Sequence, residues 1–186
     1  MKVKQVTAAG ATVLALGLLA SPLASLHAQN TASKSDSTFV AKAATGGMEE
    51  VELGRLAQEK ASNPAVKQFG ERMAKDHSKA NQQLAAAAQQ SGIAIPPDAD
   101  KKAQKEASKL ANKSGKDFDT AYMKMMLKDH SKDVQEFQKE ASSGQAPAIK
   151  NTASQTVPVL EEHLSLAKQV AGQVGVDTTG VSGASK

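Results

Sequence analysis

Apolar residues recur at steps of three and four along nearly the whole chain, with almost no alternating stretch, and this constrains the fold more than any other feature. Phe39, Ala43, Gly46, Glu50, Leu53 and Ala57 share one stripe, which predicts a helix over 36–62, with Gly46-Gly47 marking a bend or a close contact. Asn63-Pro64 restarts the pattern, because asparagine caps free N–H groups and proline at the first helical position loses nothing. Val66, Phe69, Met73, His77, Ala80, Leu84 and Ala87 then carry a second helix to about Ser91, stopped by Gly92. Met123, Met126, His130, Val134, Phe137 and Ala141 line another helix that ends at Gly144. Pro147 opens the last, to Ala171, with Val157, Leu160, His163 or Leu164, Ala167 and Val170 inside and Pro158 expected to kink or split it.

These four helices are each about 25–28 residues, roughly 40 Å at 1.5 Å per residue. Two of the connections are short. The third, between the second and third long helices, contains Pro96-Pro97 and a thin amphipathic stretch over 99–113, with Asp98 as its expected cap. Ser114 with Asp117 resembles a capping box for the helix that follows. One long crossover is the connectivity of ferritin-like bundles, in which the helices on either side of it run parallel. The expected fold is therefore all-α, a ferritin-like four-helix bundle with a short extra helix in the crossover. Composition agrees: four Phe, one Tyr and no Trp leave a core of Ala, Leu, Val and Met, which suits close-packed helices better than a sheet.

The N-terminus follows a different logic. Lys2 and Lys4 precede an uncharged run from Val6 to Ala20, and Leu26-His27-Ala28 is a plausible cleavage site before Gln29. That is the layout of a secretory signal peptide, and the run is shorter than the ~20 residues a bilayer span needs. The organisation expected is a signal peptide over 1–28, a flexible segment over 29–35, the bundle over 36–171 and a Gly/Ser/Thr-rich disordered tail over 172–186, in a periplasmic or secreted protein with no stable membrane insertion after cleavage. Removing 1–28 takes two lysines and no acids, leaving 21 basic against 19 acidic side chains. No basic cluster with interleaved aromatics remains, which argues against nucleic-acid binding. The absence of cysteine excludes disulfides, thiolate metal sites, a cysteine nucleophile and a lipoprotein anchor. Nothing in the sequence names a protein partner, and a homo-oligomer stays open.

Two mid-helix segments echo one another. Met73-Ala74-Lys75-Asp76-His77-Ser78-Lys79 aligns with Met126-Leu127-Lys128-Asp129-His130-Ser131-Lys132. In parallel helices His77 and His130 lie at similar heights. Glu50 sits near the middle of the first helix and His163 within the last, so every histidine after residue 28 is expected to face one central layer. Imidazole and carboxylate on facing helices are how bundle metal sites are built, and the donors suit Zn, Fe, Mn, Ni or Cu. The expected ligands are Glu50, His77, His130 and His163, with Asp76 and Asp129 flanking them and Glu162 as an alternate. Read singly, each histidine is an ordinary satisfied core residue. Tyr122 and the cluster Met123, Met125 and Met126 read as core, and Glu49, Glu52 and Arg55 as solvated charges.

The strings DSTFVAKAATGGMEEVELGRLA, NPAVKQFGERMAKDHSKAN, SGKDFDTAYMKMMLKDHSK and VPVLEEHLSLA, in that order and spacing, resemble the bacterial family catalogued as domain of unknown function 4142. The resemblance covers about residues 36–170. It implies an exported protein of ferritin-like fold without an established activity, and its recurrent polar positions match Glu50, Asp76, His77, Asp129, His130 and His163. Members are often labelled outer-membrane proteins, but this sequence has neither a lipidation cysteine nor a barrel pattern. The Glu-x-x-His of di-iron bundles is also missing: Ala74, Leu127 and Leu160 stand three residues before the histidines, which argues against an ordinary ferroxidase centre. No nucleophile motif or Gly-rich phosphate loop is present, whether the protein is an enzyme stays open, and two functions are left. One is an exported transition-metal binder with a stress-protection role. The other is a non-catalytic periplasmic interaction or stress-response module whose buried His/Glu network is structural.

Overall fold

The computed structural model describes residues 33–181. The expected signal peptide, residues 29–32 and the end of the tail lie outside the described residues. Five helices and no strand are present among those described: α1 (Lys34–Lys60), α2 (Pro64–Gln90), α3 (Ala99–Ala111), α4 (Gly115–Ser143) and α5 (Pro147–Gln173). The helix starts follow local chemistry. Ser33 and Asp36 form a reciprocal capping box, so α1 begins two residues before Asp36 and takes in the last residues of the stretch expected to be flexible. Asn63 accepts from the Ala65 N–H with Pro64 behind it, as its sequence requires. Gly92, in the left-handed region at φ +66, closes α2.

Four expectations need correction. Asp98 makes no side-chain cap, and its carboxylate pairs instead with Lys102 one turn on. Ser114 likewise makes no side-chain cap to α4. Pro158 does not split α5, which runs unbroken from Pro147 to Gln173. The proline removes one N–H, and both Pro158 and Ser154, whose carbonyl loses that donor, face solvent, where water can satisfy it. The tail is also not wholly loose: Val176 is buried against the core beyond a left-handed Gly175.

Contacts fix the directions. Lys42 meets Glu136, Glu50 meets His130 and Ser62 meets Asp119, so α1 and α4 are antiparallel. Gly47 lies against Asn81 and Gly54 against Gly70, so α1 and α2 are antiparallel too. Hence α2 and α4 run parallel, as the long crossover requires, with α3 packed along α1. The apolar core falls into two clusters. One holds Leu53, Met73, Phe118, Met126 and Leu160, and the other Phe39, Ala44, Leu84, Ile149 and Ala153. Glu50 on α1 and His77 on α2 occupy the gap between them, which places the polar layer at mid-bundle.

Candidate metal centre

His77 from α2, His130 from α4 and His163 from α5 come together at that level. One ring nitrogen from each lies within 4.8 Å of the other two. The ring centroids are 5.6 Å apart for His77–His130 and 5.4 Å apart for the other two pairs. All three side chains are buried. Each arrives from the helix face that carries the apolar stripe, so the hydrophobic effect that assembles the bundle also delivers the imidazoles.

The hydrogen bonds decide which nitrogen faces which way. His130 Nδ1 lies 3.0 Å from the Met126 carbonyl oxygen, which can only accept, so Nδ1 carries the proton and Nε2 is a bare lone pair. His163 Nε2 lies 3.0 Å from Asp76 Oδ2 and donates to that carboxylate, which leaves Nδ1 bare. His130 Nε2, His163 Nδ1 and His77 Nε2 are all buried without a hydrogen-bond partner. Burial, reinforced by the neighbouring imidazoles, lowers the His77 pKa far below its ordinary value. Burial and His163 bring His130 down to about 3, and burial also lowers His163 against the pull of Asp76. At neutral pH all three rings are therefore neutral, the form that binds metal.

Asp76 stands behind His163 as a positioning group. Arg72 holds it in turn, with Nε 3.2 Å from Asp76 Oδ2 and an Nη2 that reaches Glu162 Oε1 at 2.8 Å. Burial works to raise the Asp76 carboxyl, but the hydrogen bonds from His163 and Arg72 overcome it and keep the group below its ordinary value. Carboxylate–imidazole pairs of this kind fix the tautomer and raise the basicity of a ligating ring. Glu162 is an exposed member of the chain Glu162–Arg72–Asp76–His163 and not one of the gathered donors.

The remaining expected ligands lie elsewhere. Glu50 is buried, but its Oε1 is 3.8 Å from His130 Nδ1, the nitrogen that donates to the Met126 carbonyl, and it is not part of the three-residue group. Its Oε2 has no hydrogen-bond partner. Burial, then Asp133, Asp129 and Glu49, raise its pKa far above the ordinary value, so it is held neutral. Asp129, despite its place in the echo, is half-buried on the wall of a cleft between α1 and α4. That cleft encloses about 600 Å³ and is lined by Glu49, Glu50, Asp129, Asp133 and, at its inner end, His77 and Leu160. Burial and neighbouring carboxylates push both Glu49 and Asp133 up to about 7. Glu49, which the sequence reads as a solvated charge, is thus a cleft residue, while Glu52 and Arg55 do pair on the surface at 2.7 Å.

Three further acids are buried without a direct signal in the sequence: Asp119, Asp36 and Glu140, the last beside Asp36. Asp119 accepts from Ser62 N at 3.0 Å and Asn63 N at 2.9 Å, and from the Ser62 hydroxyl. Asp36 accepts from Gln145 N at 2.9 Å and Ala146 N at 3.1 Å. The two aspartates are structural. The one sequence hint is that Asp36 and Pro64 recur as Asp119 and Pro147 at one common offset. Tyr122 is core, stacked on Phe118, with its hydroxyl buried and unpartnered.

None of the curated proteins matches the chain. Among solved structures it is similar to a DUF305 protein from Streptomyces coelicolor, named as secreted, at a TM-score of 0.64 and 14% identity over 80% of this chain and 96% of that one. A DUF305 fragment from Deinococcus radiodurans gives a TM-score of 0.63 at 15% identity, over 77% and 99%. These likenesses establish the helical fold. Among the described residues no helix is long and apolar enough to cross a membrane. The family model described as domain of unknown function DUF4142 matches residues 21–170, and the chain belongs to that family.

Proposed function

We propose that this DUF4142 protein is exported and binds one divalent transition metal through His77 Nε2, His130 Nε2 and His163 Nδ1. The observation that carries the reading is three buried histidines with one ring nitrogen each within 4.8 Å of the others, each ring also holding one buried nitrogen without a partner. A structural network would hydrogen-bond them to one another or to a neighbour. Here the Met126 carbonyl and the Asp76 carboxylate turn two lone pairs inward, where they repel unless a Lewis acid lies between them. Bonds of ~2.1 Å in tetrahedral geometry place ligand nitrogens ~3.4 Å apart, so loading would draw any pair in by at most about 1.4 Å. Three imidazoles leave a fourth position for water or a small ligand, and a bound ion would polarise whatever takes it. The donor set suits Zn, Fe, Mn, Ni or Cu. The stress-protection role rests on sequestering such an ion outside the cytoplasm. Export rests on the N-terminal pattern and is tested by N-terminal sequencing, which should find the mature chain starting near Gln29.

The test of binding is a metal titration of untagged protein, with thermal melts of wild type and His130→Ala. At about 100 times Kd a bound ion should stabilise wild type by about 2.7 kcal/mol, or roughly 5–10 °C. His130→Ala should lose most of that gain. If no metal of the five raises the melting temperature of wild type, the metal reading fails. The structural-network reading would then stand.

A further inference from the structure

We propose that the cleft between α1 and α4 is the route by which the divalent cation reaches the three imidazoles, with Glu49, Asp129 and Asp133 guiding the hydrated ion and Glu50 receiving it at the inner end. The inference rests on the metal-centre reading and extends it to a second, transient cation site.

One cleft is lined both by surface residues and by a buried member of the histidine group. Glu106 and Lys109 of α3 stand among its lining residues at one end, and His77 at the other. Along the wall Glu49, Asp129 and Asp133 are half-buried, and among the described residues none has a lysine or arginine within ion-pairing distance. Five lysines line the same cleft. Lys42 pairs with Glu136 at 3.0 Å, Lys132 with Glu136 at 3.8 Å, and Lys109 with Glu106, while Lys124 and Lys128 are exposed and make no ion pair among the described residues, so they oppose the field of the acids. A row of carboxylates alone would be an ordinary wet surface. The second observation is Glu50. It is 3% exposed, it lines the same cleft, and its Oε2 is buried without a partner. Buried polar oxygens are normally hydrogen-bonded, paired or bound to metal, and Glu50, held neutral by burial, would exchange its proton for the arriving cation. Glu50 stands between the open acids and His130, whose Nδ1 is 3.8 Å away. The carboxylate oxygens do not form a tight donor group of their own, which fits an ion that keeps its water shell and moves on. Neutral imidazoles give no long-range attraction, so the field that draws a cation inward comes from the wall acids as they ionise, with Glu49 and Asp133 doing so near pH 7.

The experiment is stopped-flow loading with Co²⁺, whose visible absorption reports imidazole coordination, on the full mature chain. Wild type should load to one ion per chain at a rate that falls as salt rises. Glu49→Gln with Asp133→Asn, neither of them among the gathered donors, should slow loading about tenfold while leaving the endpoint unchanged. Lys128→Gln with Lys132→Gln alters only exposed side chains, so its folding is not at risk, and it should speed loading. If both pairs load at the wild-type rate, the route is wrong and the metal centre stands. If wild type shows no cobalt absorption, the metal centre fails and the route falls with it.

Discussion

Asp76 shows what a single side chain contributes. It touches no other member of the histidine group, yet it decides which nitrogen of His163 is bare. Replacing its carboxylate with an amide of the same shape removes the charge that stabilises Nε2–H and allows the ring to flip or change tautomer. Asp76→Asn should therefore weaken metal affinity by about 10–100-fold. The Arg72–Glu162 pair at 2.8 Å remains, so the metal-free melt should move little. Calorimetric titration of both proteins with Zn²⁺ checks it, and equal affinities would mean that Asp76 has no role in orienting the ring. Asp129 fills the corresponding place in the echo but lies on the cleft wall, so Asp129→Asn should leave equilibrium affinity within about threefold of wild type, against Asp76→Asn as the positive control.

At the scale of elements, the tightest packing lies where α1 crosses α2. A Cβ on Gly54 would sit 2.5 Å from the Gly70 carbonyl oxygen and 2.8 Å from the Ala74 nitrogen, both backbone atoms that cannot swing aside. Alanine is the better helix former by ~1 kcal/mol, so propensity alone predicts that Gly54→Ala stabilises. The geometry predicts the reverse, a loss of about 1–3 kcal/mol as the helices are forced apart. Urea unfolding decides the sign, and a gain in stability would refute the close crossing. This crossing also shows where reading the sequence stops. Of the Gly46-Gly47 pair, Gly47 does pack closely, against the Asn81 side chain, while Gly46 meets nothing; the backbone-to-backbone crossing at Gly54 and Gly70 had no such paired signal. Local signals survived because their physics is local: Asn63-Pro64, Gly92 and Pro147 mark boundaries through their own backbones. The three histidines were legible because helical period places them on inward stripes. Glu50 had the same stripe and the right height, yet it lies against the wrong side of His130. A one-position ambiguity in rotation about α1 suffices for that, and no spacing rule resolves it.

At the scale of the molecule, two buried aspartates tie the helical hairpins together. Asp119 on α4 holds the turn between α1 and α2, and Asp36 on α1 holds the turn between α4 and α5. The second staple is expected to hold a proton between two carboxyl groups. Glu140, buried beside Asp36, is pushed up to about 7 by burial, by its hydrogen bond to Asp36 and by that carboxylate's charge. Asp36 itself ends below its ordinary value, because backbone donors and Glu140 outweigh the cost of burial. In the unfolded chain Glu140 titrates near its usual 4.5. Between about 4.5 and about 7 the folded state therefore holds a proton that the unfolded state has lost. Stability from the Glu140 proton is complete below that window and drains away as pH rises through it, while the lowered Asp36 contributes stability that is lost only at more acidic pH. The depressed histidines act oppositely, since the unfolded state protonates first as pH falls below about 6.5, so the net profile of wild type mixes both. Glu140→Gln isolates the pair: an amide still donates to Asp36 but does not titrate. Melts in chelator at pH 5 and pH 8 should show the variant gaining on wild type by a few degrees between the two values. A difference that stays flat across that range would mean that Glu140 and Asp36 share no proton and that the staple holds through backbone donors alone.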